Sequence, residues 1–357
     1  MIPHPHHPHS TRWPGVPLAL GAAVLFGLAT PLSKLLLDRI EPQLLAGTLY
    51  LGAGIGLAVV HFARAAFGVP APEAPLRRAD LPWLAAVIVA GGLIGPLLLM
   101  LGLARIGATE ASLLLNLEGL ATMGIAWLVF RENVDRRLLL GAFAILAGGA
   151  VLSWDGQGFA ISTGALCLAG ACLAWGIDNN LTRKLSSADP VVIAMAKGLA
   201  AGTVNMAAAL AAGARLPAMP ILAAAALLGF VAVGVSLVLF VLALRHLGSA
   251  RTGAYFSLAP FIGAVSAIVL LSEPLTPALM LSAGLMAVGL WLHLAERHEH
   301  EHAHEALEHE HAHRHDAHHR HPHDGPVGEP HSHPHRHRPM RHRHPHYPDL
   351  HHRHPHG

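Results

Sequence analysis

Few side chains between Val16 and Leu294 could do chemistry, and each stands out because apolar residues surround it. Glu118 follows Asn116 in the run Ala111–Ile125, a carboxylate where the neighbouring residues could offer water nothing. An ionisable group in such a setting is costly and marks a pathway or a binding site more often than a surface. It could take up and release a proton, meet a polar group of a substrate, or be held as a structural carboxylate by Asn116 or a neighbouring helix. Lys197 is a second isolated charge; it could snorkel to the nearer membrane surface, pair with Glu118, or bind an anionic substrate group. Asp178, Asn179 and Asn180 form a polar cluster at the end of another apolar run. They would either line the cytoplasmic mouth of a cavity or cap the helix end. Asn205 and Tyr255 are further polar groups inside apolar runs, and Glu132 and Glu273 stand at the ends of two of them.

Histidine supplies a different chemistry. The chain has 30 of them, four within the first nine residues and most of the others between His298 and His356 in an alternating His-x-His pattern. His298, His300, His302, His304, His309, His311, His313, His315, His331, His333, His335 and His337 carry that pattern. Neutral imidazole is a ligand for zinc, nickel, cobalt and copper, so the tail is expected to bind a transition metal without specifying one. Its Pro and charge content leaves nothing to build a core from and predicts disorder. No cofactor is required by any other motif.

The elements that position these groups follow from composition. Hydrophobic residues make up 53% of 357 residues and charged residues 13%, at a net charge of +2. Apolar runs of about 20 residues, enough to cross about 30 Å of hydrocarbon, recur near 16–37, 43–66, 81–103, 109–130, 137–154, 159–180, 191–212, 220–244, 250–271 and 277–294. The fold class predicted is an all-α membrane protein of ten transmembrane helices with disordered His-rich termini. Glu118 then lies about nine residues, or roughly 14 Å, into its helix and near the midplane. Gly52/Gly56 and Gly198/Gly202 have the small-xxx-small spacing that lets helices approach closely in lipid. Cys167 and Cys172 lie in one apolar run and read as small buried hydrophobes. No basic stripe with interleaved aromatics suggests nucleic acid, and no Walker-type phosphate loop is present.

Basic residues set the expected orientation. With the N-terminus inside, Arg12, Arg64, Arg77, Arg78, Arg131, Arg136, Arg137, Arg183, Lys184, Arg245 and Arg251 fall on cytoplasmic segments. Only Lys34, Arg39, Arg105 and Arg215 fall outside, so both termini are expected in the cytoplasm of a bacterial-type inner membrane.

The chain also repeats itself. Gly107–Ser112 matches Gly248–Gly253, and Arg131–Val134 matches Ser272–Leu275, both at an offset of 141 residues. Phe26-Gly27 parallels Trp175-Gly176. Five spans per half force the second half to enter the membrane upside down, the arrangement of inverted-repeat transporters with a midplane site. Glu118 matches Ala259, so the shared fold does not demand an acid there. Glu132 and Glu273 match each other, which favours a role in the turn.

The stretch Ala111-Ser112-Leu113-Leu114-Leu115-Asn116-Leu117-Glu118, the helix ends Phe130-Arg131-Glu132 and Leu271-Ser272-Glu273, and Trp175-Gly176 resemble the EamA family of drug/metabolite transporters over about 16–294. The resemblance implies ten helices in two five-helix repeats, 15–155 and 156–294, between a Pro/His-rich segment 1–14 and the tail 295–357. It also implies a secondary transporter rather than an enzyme. It departs from the family at Gly119, where Pro is common, and at Thr48, Leu49 and Tyr50, where a basic residue is usual.

The primary expectation is therefore export of small metabolites by alternating access, with Glu118, Asn116, Lys197, Asp178, Asn179, Asn180 and Tyr255 about the substrate. Two alternatives stand beside it: a divalent-metal exporter fed by the tail, and a metal-binding membrane sensor that transports nothing. The expected partners are the lipid bilayer, a small-molecule substrate, divalent metal ions and, as one option, a second copy of the chain.

Overall fold

The computed structural model describes residues 15–68, 76–130, 136–152, 162–182, 185, 188–247, 249–294 and, in the tail, 298–304, 308–313, 331–336 and 340–346. Helices α1 (Gly15–Leu37) and α2 (Pro42–Ala66) are continuous. The next rod is composite: α3 (Leu81–Val87), a π-helical segment Ile88–Ile94, then α4 (Gly95–Leu103). After it, α5 (Ala108–Leu114) and α6 (Leu117–Phe130) are parted by a turn at Leu115 and Asn116, and α7 is Arg136–Leu152.

The same order then returns. α8 (Thr163–Thr182) and α9 (Pro190–Ala211) precede α10 (Met219–Gly229), a second π-helical segment Phe230–Val235 and α11 (Ser236–Leu247). α12 (Ser249–Phe256) and α13 (Ala259–Leu271) are parted by a turn at Ser257 and Leu258, and α14 is Pro277–Leu294. The irregularities recur along with the helices.

Seven of the described helices are long and apolar enough to cross a membrane, against the ten expected. The shortfall has local causes. α7 has 17 described residues, α8 is made polar by Asp178, Asn179 and Asn180, and α13 is apolar but only 13 residues long. Large hydrophobics such as Phe62, Leu128, Phe143, Val269 and Trp291 are exposed on the outer surface, as a lipid-facing surface requires.

The interior is built by small residues. α2 packs on α9, α7 on α14, α1 on α11 and α13, and α8 on α4 and α6. At the α2–α9 crossing, a Cβ on Gly198 would lie 2.7 Å from the Gly54 nitrogen and 2.7 Å from the Tyr50 carbonyl oxygen. Main chain meets main chain there, so no side chain can yield. The expected close approach of Gly52/Gly56 and Gly198/Gly202 is thus met by backbone and, at Gly56, by the ring of Phe230.

In the tail, which was expected to be disordered, four short segments are extended. β1 (His298–His304) pairs antiparallel with β4 (Met340–His346), and β2 (Glu308–His313) with β3 (His331–Arg336). The register sets His300 against His344 and His311 against His333. Alternating His-x-His matches the two-residue period of a strand. Segment 1–14 lies outside the described residues.

Overpacking a filled contact costs about 1–3 kcal/mol or more. Gly198→Val is therefore expected to lower the melting temperature of the detergent-solubilised protein clearly. Gly119→Ala, where a Cβ meets nothing, should leave it unchanged.

Candidate polar site between α2, α6, α8 and α9

Pro96 starts the local geometry. It stands five residues after Gly91, where a π-helix would seek an amide hydrogen, and proline has none. The Gly95 amide is already given to the Ala90 carbonyl. The Gly91 carbonyl oxygen instead accepts the Tyr50 hydroxyl at 3.0 Å and the Trp175 indole N–H at 3.1 Å. The Leu93 carbonyl, in the same π segment, accepts from the Asn205 amide at 3.3 Å. Side chains from α2, α8 and α9 are thereby tied to one irregular turn.

That turn also makes room. A Cβ on Gly91 would overlap the Asp178 carboxylate, and one on Gly95 would sit 2.7 Å from Trp175 Nε1. Asp178 is buried, forms an ion pair with Lys197 from α9, and accepts the Thr182 hydroxyl at 3.3 Å. Trp175, Asp178 and Thr182 are spaced three and four apart, one face of α8.

The neighbouring face of α8 turns to α6. Asn179 donates from Nδ2 to Glu118 Oε1 at 3.0 Å and to the Thr122 hydroxyl oxygen at 3.2 Å. Asn180 donates to the Thr122 carbonyl at 3.0 Å and the Gly176 carbonyl at 2.8 Å, while its buried Oδ1 has no partner among the described residues. Close approach is set by Gly176, whose added Cβ would lie 2.8 Å from that of Ala121. Glu118 itself sits in the first turn of α6, just past the break, where the partial positive charge of a helix start favours a carboxylate.

Several expectations change. α8 runs on to Thr182, so Asp178–Asn180 lie within a helix and do not cap its end. Lys197 pairs with Asp178 rather than Glu118 and does not snorkel. Asn116 does not hold Glu118; its Nδ2 donates to the Leu113 carbonyl at 2.8 Å, and the neighbouring helix supplies the partner instead. Tyr255 is half-buried on α12 and is not brought into this network. Tyr50, Trp175, Thr122 and Gly91 are members that the charges did not point to. Trp175 was visible only as half of a repeated Trp-Gly pair, and Thr122 gave no signal.

Glu132, His315 and His337 lie outside the described residues, and the other tail histidines named above are on the extended pairs. Among the described residues no three His, Cys, Asp or Glu side chains converge as metal ligands. Cys167 and Cys172 are free, the second buried.

The two sides of the molecule differ at matching positions. Thr30 and Ala259, the counterparts of Asn179 and Glu118, are buried, whereas Asn179 is exposed and Glu118 is half-buried.

Comparison with known proteins agrees with this architecture. The model of the EamA-like transporter family matches residues 13–154 and again 162–295. A protein of Methanothermobacter thermautotrophicus named an uncharacterized transporter is 29% identical over 286 residues, 76% of this chain and 83% of its own. One of Salmonella typhimurium, named a probable amino-acid metabolite efflux pump, is 27% identical over 309 residues, 78% of this chain and 93% of its own. A solved crystal structure superposes with a TM-score of 0.58 at 19% identity, covering 78% of this chain and 95% of that one, a likeness of fold alone.

Breaking a buried ion pair from one side costs about 3–5 kcal/mol, because a lone charge is left behind. Lys197→Met should therefore destabilise the solubilised protein strongly. Adding Asp178→Asn should recover much of that loss, as read from denaturation midpoints of the two singles and the double.

Proposed function

Because this chain belongs to the EamA-like transporter family, we propose that it is a secondary transporter exporting small organic metabolites by alternating access. It is a multi-pass membrane protein. The reading takes its described rods as ten spans in two inverted halves, with both termini in the cytoplasm of an inner membrane, as the basic loops favour.

The observation that carries it is the convergence of Glu118, Asn179, Asp178, Lys197, Tyr50 and Trp175 beside a broken helix and a π turn. Discontinuous helices with polar groups at mid-depth are what a transporter site uses, since irregular backbone in hydrocarbon survives only where it is enclosed or lines a cavity. The contrast between buried Thr30 and Ala259 and exposed Asn179 supports one side being closed and the other open.

Within the site the charges have different standing. Asp178 and Lys197 satisfy each other, while Glu118, among the described residues, receives only the amide of Asn179. Glu118 is thus the group with capacity left for a proton or a polar group of the solute. Asp178 and Lys197 hold α8 to α9 and shape the wall. The name of the Salmonella relative makes amino acids and their metabolites the first solutes to assay. No observation on the described residues favours the metal-export or sensor readings over this one.

In proteoliposomes, flux of radiolabelled amino-acid metabolites under a pH gradient is expected for the parent protein. Glu118→Gln at equal abundance should lose most of that flux and its pH dependence. Unimpaired flux with an unchanged pH profile would remove Glu118 from the mechanism.

A further inference from the structure

At the end of the bundle where α4 turns into α5, two charged side chains bracket one short connection. Lys34, in the last turn of α1, donates from Nζ to the carbonyls of Leu103 at 2.6 Å and Ile106 at 2.7 Å. Glu273, in the connection between α13 and α14, accepts the amides of Ala108 at 2.6 Å and Thr109 at 2.8 Å, one on each carboxylate oxygen. A cation thus covers the carbonyls that end α4, and an anion covers the amides that begin α5. These are the groups that a helix terminus leaves unsatisfied.

The chain is bent to achieve this. Ser272 has φ 54°, the left-handed region that a residue with a Cβ enters only under constraint. It stops α13 and carries Glu273 over the start of α5. Gly107 leaves the space, since a Cβ there would lie 3.1 Å from Glu273 Oε2. Burial pushes the Glu273 carboxyl up, but the hydrogen bonds from Thr109 and Ala108 and the Lys34 charge outweigh it. The carboxyl is held below the usual range and is charged at neutral pH.

Beneath the bracket lies a small cavity lined by Phe26, Gly27, Thr30, Ser112, Ala259 and Pro260, among others. Its polar side chains are Thr30 and Ser112, both buried, the Ser112 hydroxyl without a partner among the described residues. A Cβ on Gly27 would lie 2.6 Å from the Ala259 carbonyl, so this wall is shut by direct backbone contact between the first and second halves. Those polar groups face no water in the present conformation and would be wetted if this end parted.

We propose that Lys34 and Glu273 form a latch that holds this end closed in the present conformation and lets go each time it opens to pass solute. They are positioning residues, acting through the α4–α5 turn, and do not touch the solute. The proposal rests on the alternating-access reading above. It adds which contacts must break and where.

The test uses full-length protein with Cys167→Ala, Cys172→Ala and Thr30→Cys, reconstituted in vesicles and exposed to a membrane-impermeant methanethiosulfonate from the latched side. Thr30 is buried below the latch, so labelling of the parent should be slow. Removing a charge-assisted hydrogen bond shifts a two-state equilibrium about ten-fold or more. Glu273→Gln and, independently, Lys34→Gln are expected to speed labelling by about that factor, while Glu273→Asp stays near the parent. Melting temperatures within a few degrees of the parent exclude general loosening as the cause. Unchanged labelling in both neutral variants, or faster labelling only where the fold itself melts, overturns the latch. Flux measured on the same vesicles separates the two readings. Latch-dependent labelling without flux of any solute would sink the transport reading, and normal flux with latch-independent labelling would sink the latch alone.

Discussion

A carbonyl in hydrocarbon has no water to turn to, and that of Gly91 has no amide either, because Pro96 stands where its partner would be. The rest of the site is organised around that one deficit. Tyr50 and Trp175 reach the oxygen from two different helices, and in doing so fix the rotation of α2 and α8 against the π segment. With α8 so rotated, Asp178 points at α9 and finds Lys197, while Asn179 points at α6 and finds Glu118. Losing the oxygen's demand would leave the Tyr50 and Trp175 donors without their shared acceptor.

Small residues make that meeting possible. Apolar side chains do not drive helices together in lipid, so contact depends on how closely backbones can approach. Gly54 and Gly198 bring α2 and α9 to main-chain contact, Gly176 does the same for α8 and α6, and Gly27 for α1 and α13. The last two stand at matching places in the two halves, yet among the described residues only the Gly176 crossing carries a carboxylate and carboxamides. An acid and an amide on one side, an alanine and a threonine on the other, give a nearly symmetric frame an asymmetric interior.

Charge is handled in two ways within this frame. Where it is structural, it has at least two partners: Asp178 has Lys197 and Thr182, Glu273 two amides, Lys34 two carbonyls. Where it is left with capacity, at Glu118, the side chain is half-exposed and, among the described residues, held by one amide. That division separates groups that hold helices in the present conformation from the group with capacity left for a proton or solute.

Much of this was legible beforehand. Apolar runs of membrane length, the repeat at 141 residues and the isolated Glu118, Lys197 and Asp178–Asn180 stand out in the chain because lipid tolerates few exceptions to apolar sequence. Family membership follows from the same motifs. Which charge meets which was not legible, and Lys197 shows why. Snorkelling, a pairing with Glu118 and binding of an anionic solute all fitted its isolated charge, whereas a pairing between helices depends on how each is rotated and where they cross. Those angles were set by Gly91, Pro96 and the crossing glycines, residues with no charge to advertise them. Sequence alone thus determined what must be buried and which groups would be costly to bury; only the tertiary structure decided their partners, because partners are chosen by packing between helices and not by anything along one of them.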